Sequence, residues 1–220
     1  MLPNTGFLKA ASPELLEVFN TLAKKVTVAE NETLFSEFDE GDALYVVLDG
    51  SIEITKESED GRRLGLELMR SGAVFGEIAL FDPGQRTATA VAMEPTELIQ
   101  IRNKDLMREL NARPELALDL LRLAGSRMRL MNSQLHEYVF LALPARLARK
   151  ILHLTAGTTD PDAAFKLSQT DLADFTGATR EAVSKTLSIW KQDAFVETGR
   201  GTLKVLDRPA LLEIAGLDAL

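Results

Sequence analysis

The chain contains no cysteine among its 220 residues. This absence excludes disulfide bonds, thiolate-ligated metals, cysteine-bound iron–sulfur clusters and thiol catalysis. Histidine is scarce as well, and neither His136 nor His153 has a second ligand at a spacing typical of metal sites. We therefore expect surface or packing roles for both histidines in preference to metal or haem ligation, and no metal site.

Long apolar runs and an excess of basic residues are also absent. No run approaches the roughly 20 apolar residues that a membrane-spanning helix needs, and the first residues, 1–5, lack the basic-then-apolar order of a signal peptide. We therefore expect a soluble, cytoplasmic protein without a membrane partner. The net charge is −8, and it lies entirely in residues 1–143, which carry 15 basic and 23 acidic side chains. Residues 144–220 carry 10 of each, so we expect a surface for nucleic acid only in this part of the chain.

Short β-branched and aromatic segments fill the first half of the chain. An initial helix is predicted from Pro13 to Lys24, and turn signals such as Asp49-Gly50 and Glu59-Asp60-Gly61 separate the segments that follow. The predicted strands are Lys25–Ala29, Thr33–Ser36, Leu44–Leu48, Ser51–Lys56, Leu64–Met69, Thr87–Ala92 and Glu97–Ile101. This spacing is typical of an antiparallel β-barrel or β-roll.

A single long helix is predicted from Glu115 to about Leu141, since this stretch contains no proline. Apolar residues recur along it at alternating steps of four and three, which is the pattern of a coiled-coil seam. We expect dimerisation through Leu121, Ala124, Met128, Met131, Leu135 and Tyr138. The alternative is that the stripe packs on the barrel of the same subunit. A second apolar face is available for that contact, formed by Leu116, Leu120, Leu123, Leu130 and Val139, so we expect one face for each role.

The segment Gly76–Ala90 combines the groups that a sugar phosphate requires. Gly76, Glu77, Ile78 and Ala79 predict a glycine-led turn into a short helix, whose first backbone N–H groups are available to an anion. Arg86 matches two phosphate oxygens, Thr87 adds a hydroxyl donor, and Glu77 can accept a hydrogen bond from a sugar hydroxyl. These residues predict a nucleotide site. The alternative is a hairpin loop with a surface arginine.

Residues 168–205 have the pattern of a winged helix-turn-helix. Ser168–Asp171 resembles a capping box, Gly177 is a turn residue, and a second helix opens at Thr179. The hairpin Phe195–Val205 is predicted to be the wing. The candidate DNA-binding residues are Gln169, Thr170, Thr179, Arg180, Glu181, Ser184, Lys185 and Arg200. The alternative is an ordinary helical hairpin with solvated charges.

The segment Gly76–Ala90 resembles the phosphate-binding cassette of cyclic-nucleotide-binding domains, and the chain from about Leu8 to Val205 resembles the CRP/FNR superfamily of transcription regulators. The resemblance implies an α+β fold in three parts. Residues 1–113 would form an antiparallel β-roll that binds the effector, residues 114–142 the dimerisation helix, and residues 143–220 a winged helix-turn-helix.

The resemblance further implies a homodimer, not an enzyme, that binds a pseudo-palindromic DNA site under the control of a cyclic nucleotide. Family members that bind cAMP present a Thr-Ser pair to adenine, whereas this chain has Met131-Asn132, of which Asn132 can still bond a purine edge. Thr87 resembles domains that prefer cGMP. We therefore expect cAMP to be the effector, with cGMP, or binding of both nucleotides, as the alternatives.

The alternative function is a regulator of the same family that responds to a non-nucleotide effector or binds DNA constitutively. Two further departures from the family are Lys185, where arginine is usual, and Ala142, where an aspartate cap is common. Contact with RNA polymerase through Glu57–Arg62 or the loop Ala156–Asp162 is expected only by analogy with the family.

Overall fold

The computed structural model describes residues 2–3, 8–9, 11–156 and 164–217. Its contacts divide the chain into two compact units, Met1–Glu59 with Leu66–Leu130, and Asp60–Gly65 with Met131–Leu220. None of the helices in these described ranges combines the length and apolarity that crossing a bilayer requires.

Two four-stranded sheets form the first unit, in the orders β1-β8-β3-β6 and β2-β7-β4-β5. The pairs β1 with β8, β3 with β8 and β4 with β7 are antiparallel. The strands are β1 (Lys24–Val28), β2 (Thr33–Phe35), β3 (Ala43–Asp49), β4 (Ser51–Glu57), β5 (Arg63–Arg70), β6 (Val74–Phe75), β7 (Thr89–Ala92) and β8 (Thr96–Arg102). All seven predicted strands are confirmed with shifted ends, and the two-residue β6 was not predicted.

Strand β3 is buried on both faces, which explains its uninterrupted apolar run. Tyr45 and Val47 belong to a core cluster with Phe75 inside the roll. Leu44 and Val46 belong to a second cluster, shared with the helices. Because successive strand residues point to opposite faces, this one strand contributes side chains to both cores.

The helices of the first unit pack on the roll. They are α1 (Pro13–Leu22), α2 (Ile78–Phe81), α3 (Asn103–Ala112) and α4 (Ala117–Phe140), with a 3-10 turn at Pro114–Leu116 before α4. Leu116, Leu120 and Leu123 join the core cluster of α1, as predicted for the second apolar face. Helix α3 was not predicted, because its only buried residue is Leu106 and its apolar pattern is therefore weak.

A buried carboxylate joins the start of α1 to the first turn of α4. Both the backbone N–H and the hydroxyl of Ser12 donate to Asp119 Oδ2, and Arg122 Nη1 donates to Oδ1 at 2.8 Å. Burial alone would raise the pKa of Asp119, but the hydrogen bonds from Ser12 and Arg122 outweigh it and the pKa is lowered. The carboxylate therefore stays charged and holds Ser12, whose hydroxyl accepts from Leu15 N as the N-cap of α1.

The second unit contains the end of α4 and a three-stranded sheet of order β10-β11-β9. Its elements are α5 (Leu143–Leu154), β9 (Phe165–Lys166), α6 (Gln169–Thr176), α7 (Arg180–Gln192), β10 (Val196–Gly199), β11 (Thr202–Val205) and α8 (Arg208–Ile214). The helix-turn-helix and its hairpin are confirmed, whereas β9 and α8 were not predicted. Apart from Ala156, the loop expected to touch RNA polymerase lies outside the described residues.

Candidate effector and DNA-binding sites

Gly76 shapes the turn that starts the candidate nucleotide site. Its φ is +77°, a region that residues with a Cβ rarely adopt, and an added Cβ would lie 2.9 Å from Arg86 Nη1 and 3.2 Å from the Ala43 carbonyl oxygen. Arg86 Nη1 donates to the Gly76 carbonyl at 3.2 Å. The glycine is therefore required both for the turn and for the close approach of Arg86.

Arg86 is a buried cation that forms no ion pair with a carboxylate of the described residues. It is only 5% exposed, and its guanidinium carbon lies 4.2 Å from the centre of the Phe35 ring. Its Nε has no hydrogen-bond partner within the part of the chain that the structure describes. Burial lowers the pKa of Arg86, while Tyr45 and Asp42 oppose that shift. An unpaired buried guanidinium is costly, so the arrangement favours an added anion.

Backbone hydrogen bonds hold the segment around Arg86 against the β2–β3 loop. Arg86 N donates to the Asp39 carbonyl at 2.7 Å, and Phe38 N donates to the Arg86 carbonyl at 3.0 Å. Thr87, the next residue, is exposed. The main chain thus fixes Arg86 from both sides and leaves the Thr87 hydroxyl accessible.

Glu77 directly follows the Gly76 turn and is buried, at 6% exposed. Arg127, on α4, donates from Nε to Glu77 Oε1 at 3.2 Å and from Nη1 to Glu67 Oε2 at 2.7 Å. Arg127 Nη2 also donates to the Val74 carbonyl. This arginine was not among the predicted site residues. A signal was present, because Arg127 continues the steps of three and four that place Leu116, Leu120 and Leu123 against the roll.

The short helix α2 follows directly, with its first turn at Ile78 and Ala79. The N–H groups of a first helical turn have no intrahelical acceptor, as expected for an anion site. Asn103 Nδ2 donates to the carbonyls of both Gly41 and Ala79 at 3.1 Å and so fixes α2 to the neighbouring loop. Ile78 is 48% exposed, so only its backbone is suited to a ligand contact.

The long helix α4 carries a row of exposed apolar side chains. Leu121, Met128 and Leu135 are each more than 60% exposed and are seven residues apart. Met131 is 65% exposed and lies beside this row, Ala124 is half-buried, and Asn132 is exposed. An exposed apolar row of this kind along a long helix is typical of a coiled-coil contact.

Tyr138 does not belong to that exposed row. Its hydroxyl donates to the Phe175 carbonyl at 3.3 Å, Arg146 lies over its ring, and burial raises its pKa. Val139 is 63% exposed instead. Of the residues predicted for the dimer contact, Tyr138 is therefore the one that the fold of its own chain covers, and the next residue, Val139, is exposed in its place.

The helix-turn-helix has the expected caps. Ser168 and Asp171 form a capping box, and Gly177 ends α6 with a φ of +60°. The Thr179 hydroxyl accepts from Ala182 N at the start of α7. Val183, Leu187 and Trp190 are buried.

The opposite face of α7 carries the predicted DNA contacts. Arg180, Glu181 and Lys185 are exposed and Ser184 is half-buried. Next to them, a cleft of about 250 Å³ brings Gln169, Thr170, Arg180 and Arg200 together between the helices and the β10–β11 hairpin. Residues that are far apart in sequence therefore share one polar surface, with the helix N-terminus and the wing on either side of it.

Within the described residues, no group of three or more histidine, aspartate or glutamate side chains is arranged to hold a metal ion.

Comparison with known proteins matches each half of the chain to a domain family. The cyclic nucleotide-binding domain matches residues 25–113, and the Crp-like helix-turn-helix domain matches residues 145–214. The chain is 30% identical over 193 residues to a CRP-like cAMP-activated global transcriptional regulator of Mycobacterium tuberculosis, covering 86% of each. It is also 30% identical to the cyclic AMP receptor protein of Thermus thermophilus, covering 93% of this chain and 94% of that protein. The crystal structure of a CRP-family transcriptional regulator, also from Thermus thermophilus, superposes with a TM-score of 0.75 at 26% identity, over 87% of this chain and 96% of the other.

Proposed function

Because the chain belongs to the CRP/FNR family of transcription regulators, we propose that it is a homodimer whose DNA binding is controlled by a cyclic nucleotide held in the β-roll. The family consists of regulators rather than enzymes. The regulator has a cyclic nucleotide-binding domain and a helix-turn-helix. The proposal adds the effector, the dimer and the coupling between them.

The unpaired Arg86 is the observation that carries the nucleotide assignment. A cyclic phosphate supplies one negative charge and two exocyclic oxygens, which match the fork of the guanidinium. Its Nε is buried with no partner among the described residues, so a phosphate oxygen would satisfy it. The α2 backbone N–H groups and the exposed Thr87 hydroxyl add donors on the same side.

Glu77 is the proposed ribose ligand, and Arg127 is the proposed link to the long helix. The same carboxylate that would accept from the ribose hydroxyl already accepts from Arg127 Nε. A nucleotide that bonds to Glu77 therefore changes the contact that ties α4 to the roll. Such a ligand shifts a pre-existing equilibrium between inactive and active forms, since it binds one of them better.

Fewer residues of the site indicate which base the nucleotide carries than indicate its sugar phosphate. Relatives named for cAMP make cAMP the first candidate, and Thr87 keeps cGMP, or binding of both, as rivals. Asn132 is exposed on α4 and is proposed to bond the purine edge. A regulator with a different effector, or one that binds DNA constitutively, is the alternative function.

Calorimetric titration of the nucleotide-free full chain with cAMP, and separately with cGMP, tests the effector assignment. We expect saturable heat with at least one of them and tighter operator binding when it is present. Heat from neither, with operator binding unchanged by both, would contradict cyclic-nucleotide control and support the alternative. The DNA-binding assignment would not be affected by that result.

We propose that α7 is the recognition helix. Arg180 and Lys185 would donate to guanine, Glu181 would accept from cytosine N4, and Ser184 and Thr179 would contact bases or backbone. Gln169, Thr170 and Arg200 would hold the phosphate backbone along the cleft next to the helix. In a dimer, two such helices spaced about one DNA turn, roughly 34 Å, would read a pseudo-palindrome.

Replacing Glu181 with alanine is expected to relax base preference at one position in each half-site. The loss on the preferred sequence is about 1–3 kcal/mol, because a carboxylate in a DNA interface favours a cytosine amino group and disfavours other bases. Selection from a randomised DNA pool measures this preference. As a control, Glu197→Ala removes an exposed carboxylate of the wing hairpin that is not assigned to a base, and it should leave the base preference unchanged. An unchanged base preference in Glu181→Ala would refute the assignment.

RNA polymerase is the remaining partner that we propose, by analogy with the family. The exposed turn at Glu57–Arg62 is a candidate for it.

A further inference from the structure

Glu67 places a second carboxylate on the wall of the proposed nucleotide site. It lies on β5 two residues before Met69, which belongs to the core cluster inside the roll. Alternate strand residues share a face, so Glu67 points to the same side of the sheet as Met69. Its Oε2 accepts from Arg127 Nη1 at 2.7 Å, and its side chain is 25% exposed. Nothing in the phosphate or ribose assignment uses this carboxylate.

The charged groups of the site follow one another in a defined order. Arg86 contacts the carbonyl of Gly76, Glu77 comes next in the chain, and Arg127 joins Glu77 to Glu67. One guanidinium contacts both carboxylates, so Glu67 and Glu77 are close neighbours. The order Arg86, Glu77, Glu67 is the order of phosphate, ribose and base in a nucleotide. A base beyond the ribose would therefore meet Glu67.

We propose that Glu67 selects guanine, so that the preferred effector is cGMP. The Watson–Crick edge of guanine presents two adjacent donors, N1–H and the N2 amino group, which match the two oxygens of a carboxylate. Adenine offers one donor, the N6 amino group, beside the acceptor N1, which a carboxylate repels. This inference deepens the proposed function, rests on it, and reverses its order of nucleotides.

The ion pair with Arg127 is compatible with this role. A carboxylate accepts several hydrogen bonds at once, and Arg127 keeps it charged and oriented. If the ion pair were the whole role of Glu67, its loss would weaken every nucleotide equally, because all of them would meet the same altered Arg127. The ratio of affinities therefore separates base recognition from ion pairing.

The experiment titrates the full chain and its Glu67→Gln variant with cGMP, cIMP and cAMP. The cyclic inosine nucleotide keeps N1–H and lacks the N2 amino group, so it removes one of the two contacts. We expect the wild type to bind in the order cGMP, cIMP, cAMP, with about 10- to 100-fold between the first and the last. In Glu67→Gln the ratio of cGMP to cAMP affinity should fall at least about tenfold, because an amide pairs with the adenine edge. Glu97→Gln, an exposed carboxylate on β8, should leave the ratio unchanged.

Three results would overturn the inference. Equal affinities in wild type and a ratio unchanged in Glu67→Gln would make Glu67 an ion-pairing residue only. A cAMP preference that the variant abolishes would mean that the carboxylate reads the adenine amino group. Binding of no cyclic nucleotide by the folded wild-type chain would remove the proposed function on which the inference rests, and thermal unfolding of each protein verifies folding.

Discussion

Replacing Arg86 with alanine is expected to abolish nucleotide-dependent DNA binding. The variant loses the proposed partner of the cyclic phosphate, and two charge-assisted hydrogen bonds correspond to at least about a 100-fold loss of nucleotide affinity. The loss should be specific to the effector, because Arg86 lies in the roll whereas the candidate DNA contacts lie on α6, α7 and the wing hairpin. Calorimetry measures the nucleotide affinity, and operator titration with and without nucleotide measures the response.

Two further variants sharpen this prediction. Arg86→Lys keeps a positive charge but removes the fork, so we expect an intermediate affinity. Arg102→Ala removes an exposed arginine at the end of β8 and should behave as the wild type. Since Arg86 packs on Phe35, thermal unfolding must show that Arg86→Ala is folded. A folded Arg86→Ala protein with a full nucleotide response would refute the phosphate assignment.

Introducing a charge at Leu135 is expected to separate the proposed dimer into monomers. Leu135 is 61% exposed and occupies the proposed seam with Leu121 and Met128. A glutamate there would place two like charges, one from each chain, in an apolar contact. We expect Leu135→Glu to sediment as a monomer and to bind a pseudo-palindromic operator at least about 100-fold more weakly, because one half-site contact is lost.

The register of the seam is tested with the same measurement. Val139→Glu should also weaken the dimer, whereas Tyr138→Phe should leave it intact, because Tyr138 faces α6. Ser133→Glu, an exposed site on the same helix outside the seam, is the matched control. A dimer that persists in both Leu135→Glu and Val139→Glu would show that the subunits associate through another surface.

Local patterns predicted most elements of the fold. Segments rich in β-branched and aromatic residues, separated by Gly-containing turns, predicted seven strands, and the capping box and Gly177 predicted the helix-turn-helix. These signals extend over only a few residues, so they can be recognised in the sequence without the tertiary structure. Elements with weak local signals were missed: β6 has two residues, and α3 buries only Leu106.

The candidate site was predicted in part. Gly76, Glu77 and Arg86 are close in sequence, and their residue types already suit a sugar phosphate. Glu67 and Arg127 come from β5 and α4, and no local pattern joins them to Glu77. Their roles depend on which face of α4 packs against the roll.

In the proposed seam, too, the sequence pattern left one position undecided. An alternation of three and four that passes through Leu135 fits either Tyr138 or Val139, because the next position lies three residues on in one phase of the pattern and four in the other. The contact of Tyr138 with α6 decides which of the two is exposed.

The sequence by itself determined the class of fold, the cassette around Arg86 and the face of α7 that remains exposed, because each depends on residue type and short-range periodicity. Only the tertiary structure decided that Arg86 is buried without an ion pair among the residues described, that Arg127 joins Glu77 to Glu67, and that Val139 is exposed while Tyr138 contacts α6. Burial and charge pairing depend on segments that are far apart in sequence and close in space.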